Sequence, residues 1–248
     1  MAELTAESST VRSTVRGSFF VWMSCVLALL AFAGFTPTYF LPMADDSLRQ
    51  LRGAVHLHGM LFFGWTLLLI AQTLLVANGS IARHRAMGLA GISLATAMVI
   101  FGLMVNLLFN AGQLADNPAG AYQGAFNGQS SMVLFGMLFG FAIANIRKPE
   151  VHKRLMIMAT IAIMGAAITR LYSPLFGTAQ EVPQILSKGT QDLLILAVLI
   201  YDWRLLGRPH KATLIAGGAI IGVQILRVTV TDTAAWQAIC NFTFQLVT

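Results

Sequence analysis

Seven long apolar runs constrain this chain more than any other feature of its sequence. They are residues Ser18–Leu41, Val55–Asn78, Ala86–Asn110, Gln129–Ile146, His152–Leu171, Thr190–Leu206 and Lys211–Val230. Each run reaches, or with its flanks approaches, the roughly 20 residues that a helix needs to cross the hydrocarbon core of a bilayer. Because lipid offers no hydrogen bonds, each segment must satisfy its own backbone, as a helix does. The sequence therefore predicts an all-α integral membrane bundle of about seven transmembrane helices.

The composition agrees with a lipid environment. Hydrophobic residues make up 56% of the chain and charged residues only 10%, whereas soluble domains carry roughly a quarter charged residues. The formal net charge of +6 comes from Lys and Arg residues clustered between the apolar runs. Such clusters are orientation signals rather than a nucleic-acid surface. The expected partner is the lipid bilayer, and nucleic acid is not expected.

The basic residues alternate from one connection to the next. One set of connections carries Arg83, Arg85, Arg147, Lys148, Lys153, Arg154, Arg204, Arg208 and Lys211, and the other set carries Arg49, Arg52 and Lys188. Since basic connections stay in the cytoplasm, we expect a bacterial inner-membrane protein with its N-terminus inside and its C-terminus outside. The predicted parts are a cytoplasmic segment 1–17, a transmembrane domain 18–230 and a periplasmic-side interfacial tail 231–248. The first run is long enough to span, which disfavours a cleaved signal peptide.

Polar segments on the predicted outer side indicate loops. Residues 111–128 are rich in Gly, Asn, Gln and Ala, and residues 173–189 contain two prolines, so both are expected to form lids over an outer-facing cavity. The tail predicts a short interfacial helix with Trp236, Ile239 and Cys240 on one face. Cys25 and Cys240 have no neighbouring cysteine, so neither a disulfide framework nor a thiolate metal site is predicted.

The most specific local pattern is VHLHGMLFFGWTLLLIAQ, with His56 and His58 at the start of the second run. Positions two apart on a helix point about 200° away from each other, so the two imidazoles would not bind one metal on a regular helix. His58, Phe62, Trp65, Leu69 and Gln72 share a face. We therefore expect His58 to line the bundle as a ligand or proton carrier, or else to anchor at the headgroups.

Scarce polar groups in the spans fall at one depth. Counted at about 1.5 Å per residue, His58, Asn106, Arg170, Asp192 and Arg227 all lie towards the outer side. Asp192 neutralises one arginine, so the remaining positive charge would suit a carboxylate, a phosphate or haem propionates. The alternative is an ion pair with Asp192 while the second arginine extends to the interface. These residues, with Gln72, form the predicted ligand site.

Three histidines begin the helices that run outward from the basic connections, in the segments RHRAMGLAG, VHKRLMIMA and PHKATLIAG. His84, His152 and His210 at one depth would hold zinc, copper or iron, or, because Lys and Arg surround them, contact lipid headgroups. With His56 and His58 they are the candidate metal ligands. Asp202 is expected to pair with one of the nearby basic residues.

The segments HLHG, FFGW, RHRAMG, VHKRLM and YDWRLLGRPHKA, between about Thr38 and Ala212, resemble a broad family of uncharacterised bacterial multi-pass membrane proteins. That resemblance implies no activity. The histidines are also loosely similar to those of transmembrane cytochromes b, which implies haem b held between helices. Those proteins pair histidines from facing helices at one depth, whereas His56 and His58 share a helix.

Three functions remain open from the sequence. The first is a polar pocket in the outer half of the bundle that binds a small anionic or redox-active ligand. The second is a membrane redox protein that binds haem or a transition metal through its histidines. The third is a non-catalytic accessory subunit of a larger membrane complex. No pair of broken helices, the usual mark of a transporter, is predicted, and no enzyme motif is present.

Overall fold

The computed structural model describes residues 2–44, 53–176 and 181–247, excepting the side chains of residues 2–17. Arg49 and Arg52 lie outside these residues. The described part contains helices and turns and no strand. Its elements are α1 (Ala2–Phe35), a π-helical turn (Thr36–Phe40), α2 (Leu41–Ala44), α3 (Gly53–Ala77), α4 (Ile81–Gln113), α5 (Pro118–Ala144), α6 (Pro149–Ile163), α7 (Gly165–Phe176), α8 (Glu181–Leu206), α9 (Lys211–Val230) and α10 (Ala234–Gln245).

Glycine and proline set several of the helix boundaries. Gly79 and Gly207, just after α3 and α8, have φ of 71° and 70°, the left-handed conformation that ends helices and that glycine adopts without a Cβ penalty. Pro118 and Pro149 begin α5 and α6, where a missing N–H costs nothing. The α3–α4, α5–α6 and α8–α9 connections are consequently short.

The helices pack into one bundle. α3 packs against α1 and α4, α5 against α4 and α6, α7 against α1 and α8, and α9 against α6. The connections α3–α4, α5–α6 and α8–α9 all lie at one end, which we call the basic end because it carries the Lys and Arg clusters. We call the other end, where α4 meets α5, the opposite end.

The interior is apolar and the perimeter is apolar too. Trp65 is 2% exposed, packs edge-to-face on Phe135 and donates from Nε1 to Thr160 Oγ1 at 3.1 Å. Large apolar side chains such as Leu89 and Ile215 are more than 70% exposed. An outer surface of this kind suits lipid, so the chain is a multi-pass membrane protein.

Fewer helices than predicted meet the length and apolarity of a span. Among the described residues, five helices do so, α1 with its continuation (Ser18–Ala44), α3, α4, α5 and α9, and a sixth span results if α6 and α7, bent by 42°, are counted as one. The predicted seventh run, residues 190–206, lies in α8, which does not qualify. The reason is its charged residues, Glu181, Lys188, Asp192, Asp202 and Arg204.

The two predicted outer loops are mostly helical, so that expectation was wrong. Residues 111–128 contain the end of α4 and the first three turns of α5, and residues 173–189 contain the end of α7 and the start of α8. Two glycines of the first segment, Gly124 and Gly128, lie against asparagines of α4. Asn106 Nδ2 donates to the Gly124 carbonyl at 3.0 Å, and the side chain of Asn110 packs on Gly124.

The predicted tail helix is present as α10, which packs on α4 and α5. Trp236 Nε1 donates to the Tyr122 carbonyl at 3.0 Å, and Cys240 and Phe244 are buried. Ile239, expected on the same face, is 54% exposed. The buried face therefore repeats every four residues, from Trp236 to Cys240 to Phe244.

Candidate functional site

Unpartnered polar atoms collect in one layer of the bundle. In the part of the chain that the structure describes, seven buried side-chain atoms have no hydrogen-bond partner: His58 Nδ1, Asn106 Oδ1, Gln129 Nε2, Gln191 Oε1, Asp192 Oδ1, Gln224 Nε2 and Arg227 Nε. Each lies nearer the opposite end of its helix than the basic end. Because a buried polar atom without a partner is costly, this layer is the candidate site.

A small polar pocket opens in this layer between α5, α6, α8 and α9. Its lining is Asn127, Ser130, Ser131 and Leu134 from α5, Ala162 from α6, Lys188 and Gln191 from α8, and Ile220, Val223 and Gln224 from α9. The enclosed space holds roughly one or two water molecules. It is too small for a haem or for any ligand of comparable size.

Gln191 is the most completely buried polar group of the pocket, at 2% exposed. Its Nε2 donates to the Ile161 carbonyl at 2.8 Å, which fixes the orientation of the amide because the reverse would set two oxygens against each other. Oε1 therefore faces the pocket as an unpartnered acceptor. The pocket thus offers this acceptor beside donors from Lys188 and Gln224.

The positive charges around the pocket outnumber the negative ones. The ammonium of Lys188 interacts electrostatically with both Arg227 and Asp192. Arg227 donates from its terminal nitrogen to Gln184 Oε1 at 2.9 Å, while its Nε has no partner. This group therefore contains two cations and one carboxylate.

Two residues of the predicted layer form a separate group between α3 and α7. The Arg170 guanidinium lies 4.8 Å from the centroid of the Phe35 ring and donates to the Ala166 carbonyl at 3.0 Å. Its charge acts on His58, whose ring packs on Phe62 with centroids 4.2 Å apart. This pair is therefore a cationic group beside aromatic rings, and neither residue lines the polar pocket.

His56 contacts a different residue, Tyr39. Its Nδ1 is 2.9 Å from the Tyr39 hydroxyl, whereas His58 Nδ1 has no partner. The two histidines therefore have different surroundings, as their spacing on a regular helix requires.

The structure separates the five predicted ligand residues into three groups. Asp192 and Arg227 accompany Lys188, His58 accompanies Arg170, and Asn106 lies in the α4–α5 interface, where its amide packs on Gly128. None of them lines the polar pocket. Depth is set by helix length, whereas the direction of each side chain depends on the rotation of its helix.

Gln72, the sixth predicted ligand residue, lies at the basic end, far from His58. With its amide nitrogen towards the His84 ring, it donates to His84 Nδ1 and accepts from the Gly88 N–H at 3.2 Å. The His84 ring is edge-on to that of His152, with centroids 6.4 Å apart. His152 Nδ1 donates to the Ala142 carbonyl at 2.9 Å. Two of the three basic-end histidines are thus neighbours.

The third, His210, belongs to a buried ion-pair cluster. Arg154 and Asp202 have fully buried side chains that form a salt bridge, which confirms the expectation that Asp202 pairs with a nearby basic residue. Arg154 also pairs with Glu150 at 2.6 Å. The second oxygen of Asp202 accepts from the His210 N–H at 3.1 Å and from Thr213 Oγ1 at 2.6 Å. One carboxylate therefore joins α6, α8 and α9.

His210 caps α9 through its ring, because Nδ1 accepts from the Ala212 N–H at 3.1 Å. The pKa of His210 is lowered from its ordinary value, first by desolvation and then by the nearby Arg154 charge. Both effects favour the neutral ring, which is the form that can accept this hydrogen bond.

Metal ligation gains no support from this geometry. Across the described ranges, no group of three or more His, Cys, Asp or Glu side chains is arranged to hold a metal ion. His84 and His152 supply two imidazoles, and His210 is held in the ion-pair cluster.

Sequence reasoning missed the residues that line the pocket. Lys188 was counted only as a loop charge, although it precedes Asp192 by one helical turn. Gln224 likewise precedes Arg227 by three positions. On α5, Asn127, Ser130 and Ser131 repeat at the i, i+3, i+4 spacing that marks one helix face. This polar face of α5 is the sequence feature from which the pocket could have been predicted.

Comparison of the chain with protein-family models, with curated proteins and with solved structures finds no match. The chemistry of the site therefore has to follow from its own residues.

Proposed function

We propose that this chain is a seven-span protein of a bacterial inner membrane whose polar pocket binds a small monovalent anion. The observation that carries the proposal is the Lys188 ammonium in the pocket, with Arg227 beside it and Asp192 as the carboxylate that acts on it. Uncompensated positive charge inside an apolar bundle is costly. A bound anion offsets it.

The size and donors of the pocket define the ligand. Room for roughly one or two water molecules suits chloride, or an anion of similar size, together with a water. Lys188, Gln224 Nε2 and the hydroxyl of Ser131 supply donors to the anion. The Gln191 oxygen accepts from the water, which gives each of the two occupants a partner.

The exposed face of α8 is largely apolar, which supports α8 as the seventh span. Its exposed side chains include Ile185, Leu193 and Ile200, whereas Gln191 and Asp202 are buried. The helix has 26 residues and is therefore about 39 Å long at 1.5 Å per residue. Gln191 and Asp202 lower its apolarity without facing lipid, so it suits a membrane bundle.

The orientation follows from the basic end. Exposed Arg83, Arg85, Arg147 and Arg208 lie at that end, and basic connections favour the cytoplasmic side. The basic end is accordingly proposed to face the cytoplasm and the opposite end, nearer to the pocket, to face outward.

Anion binding is tested on purified protein in detergent by isothermal calorimetry and by the midpoint of thermal unfolding. Chloride is titrated at constant ionic strength against gluconate, which is too large for the pocket. A site that binds only the folded state raises its stability by about 2.7 kcal/mol at a ligand concentration 100 times Kd. We expect this rise for the native protein and none for Lys188→Met.

Lys211→Met is the matched control, since Lys211 is exposed at the basic end and its loss should leave chloride binding unchanged. Equal chloride binding by native protein and Lys188→Met would refute the proposal. An optical spectrum and elemental analysis of the same sample address the alternative: a Soret band or stoichiometric metal would favour a haem or metal protein.

A further inference from the structure

A kink interrupts the helix that faces the pocket. α6 and α7 meet at Met164 with a bend of 42°. The Ile161 carbonyl accepts from the Met164 N–H at 3.1 Å and from Gln191 Nε2 at 2.8 Å. The Gly165 carbonyl accepts from Ser187 Oγ at 3.0 Å. Side chains of α8 thus hold the backbone of the kink, as carbonyls inside a membrane require when a helix bends.

The kink and the pocket share side chains. A Cβ placed on Gly165 would lie 3.6 Å from both Gln191 Oε1 and Lys188 Nζ, so the kink directly borders the cationic part of the pocket. Gln191 bonds the kink through its nitrogen and presents its unpartnered oxygen to the pocket. The Gln191 amide therefore contacts both the backbone of the bend and the contents of the pocket.

We infer that the protein carries the small anion across the membrane and that the α6–α7 kink is the hinge that opens the pocket. This inference rests on the anion site proposed above. Interrupted helices beside a buried ligand site are the usual construction of membrane transporters. The bonds from Ser187 and Gln191 to the kink are single side-chain bonds, which exchange more readily than a continuous helical ladder.

The far side of the hinge also carries a cation. Arg170 lies on α7, five positions beyond Gly165, beside His58. Movement of α7 about the kink moves Arg170 relative to the pocket.

The test reconstitutes the full chain into liposomes that contain a chloride-quenched dye, with a chloride gradient and a potassium ionophore to balance charge. We expect chloride influx above that of empty liposomes. Gly165→Ala stiffens the kink, and its new methyl group fits at ordinary contact distance. It should reduce influx by at least about fivefold, the effect of favouring one helical geometry.

Gly140→Ala is the matched control, because Gly140 is an exposed glycine within α5 with no atom near a new Cβ, and it should change neither influx nor binding. Ser187→Ala acts in the other direction, because it removes the side-chain bond to the Gly165 carbonyl and so loosens the kink. Since Ser187 does not line the pocket, influx should rise by about fivefold, the effect of one lost hydrogen bond, while calorimetric chloride affinity stays within about twofold of the native value.

The outcomes separate the two proposals. Native protein that binds chloride but gives no influx overturns transport and leaves the binding site standing. Influx by Gly165→Ala and Ser187→Ala equal to that of native protein overturns the hinge. Absence of both binding and influx in native protein overturns the anion site itself.

Discussion

The side chains of Arg154 and Asp202, 48 positions apart, form a salt bridge in which neither side chain has any exposed surface. The Arg154 Nε donates to Asp202 Oδ1 at 2.7 Å. The other carboxylate oxygen receives the His210 N–H and the Thr213 hydroxyl. Because both charges are fully paired, this cluster holds the starts of α6 and α9 and the end of α8 together at the basic end.

Removing one partner of this pair should destabilise the fold strongly. Asp202→Ala leaves a buried guanidinium short of a counter-charge, and such changes cost about 3–5 kcal/mol. Glu150→Ala removes the partly exposed partner of Arg154 and should cost less than about 1 kcal/mol. The midpoint of thermal unfolding in detergent compares the two variants. Similar unfolding midpoints for the two variants would show that the buried salt bridge stabilises the fold no more than the partly exposed one.

The α4–α5 interface should not accept a side chain at Gly128. A Cβ there would overlap the Asn106 amide, and overpacking of this kind costs about 1–3 kcal/mol. Gly128→Ala should therefore lower the unfolding midpoint, and the double variant with Asn106→Ala should recover part of the loss. Gly140→Ala, which meets nothing within 4 Å, serves as the control. A Gly128→Ala protein as stable as this control would contradict the close approach of α4 and α5.

Stability should depend on pH through His210. Its pKa is lowered in the folded protein by desolvation and by Arg154, so its contribution is complete above the unfolded-state pKa of about 6.5 and is lost as pH falls through the folded pKa. Protonation also removes the acceptor that caps the Ala212 N–H. His210→Asn keeps a capping acceptor that does not titrate.

The measurement is the unfolding midpoint between pH 8 and pH 5. We expect the native protein to lose more stability over this range than His210→Asn. Parallel curves for the two proteins would exclude His210 as the titrating group.

Most of the helical segments could be predicted from hydropathy alone. The run Lys211–Val230 coincides with α9, and Val55–Asn78 differs from α3 by two residues at its start and one at its end. Hydropathy did not predict that the polar residues at the start of α5 are helical. Gly124 and Gly128 are poor helix formers taken singly, and they are helical where α4 packs Asn110 and Asn106 against them.

At the site, too, the sequence predicted one part of the arrangement and helix packing decided the other. Counting residues along each helix placed His58, Asn106, Asp192 and Arg227 at one depth, and each has an unpartnered buried atom there. Their grouping depends on helix rotation, which hydropathy does not specify. That rotation places Lys188 and Gln191 in the pocket, and it places Gln72 beside His84 instead of near His58.

By itself, the sequence determined that this chain is helical and membrane-embedded and that its polar groups fall in layers, because hydrophobic length and charge spacing act along one dimension. The tertiary structure alone decided which polar side chains meet, where α6 bends and which charge remains in excess, because these depend on how helices rotate and pack in the other two dimensions.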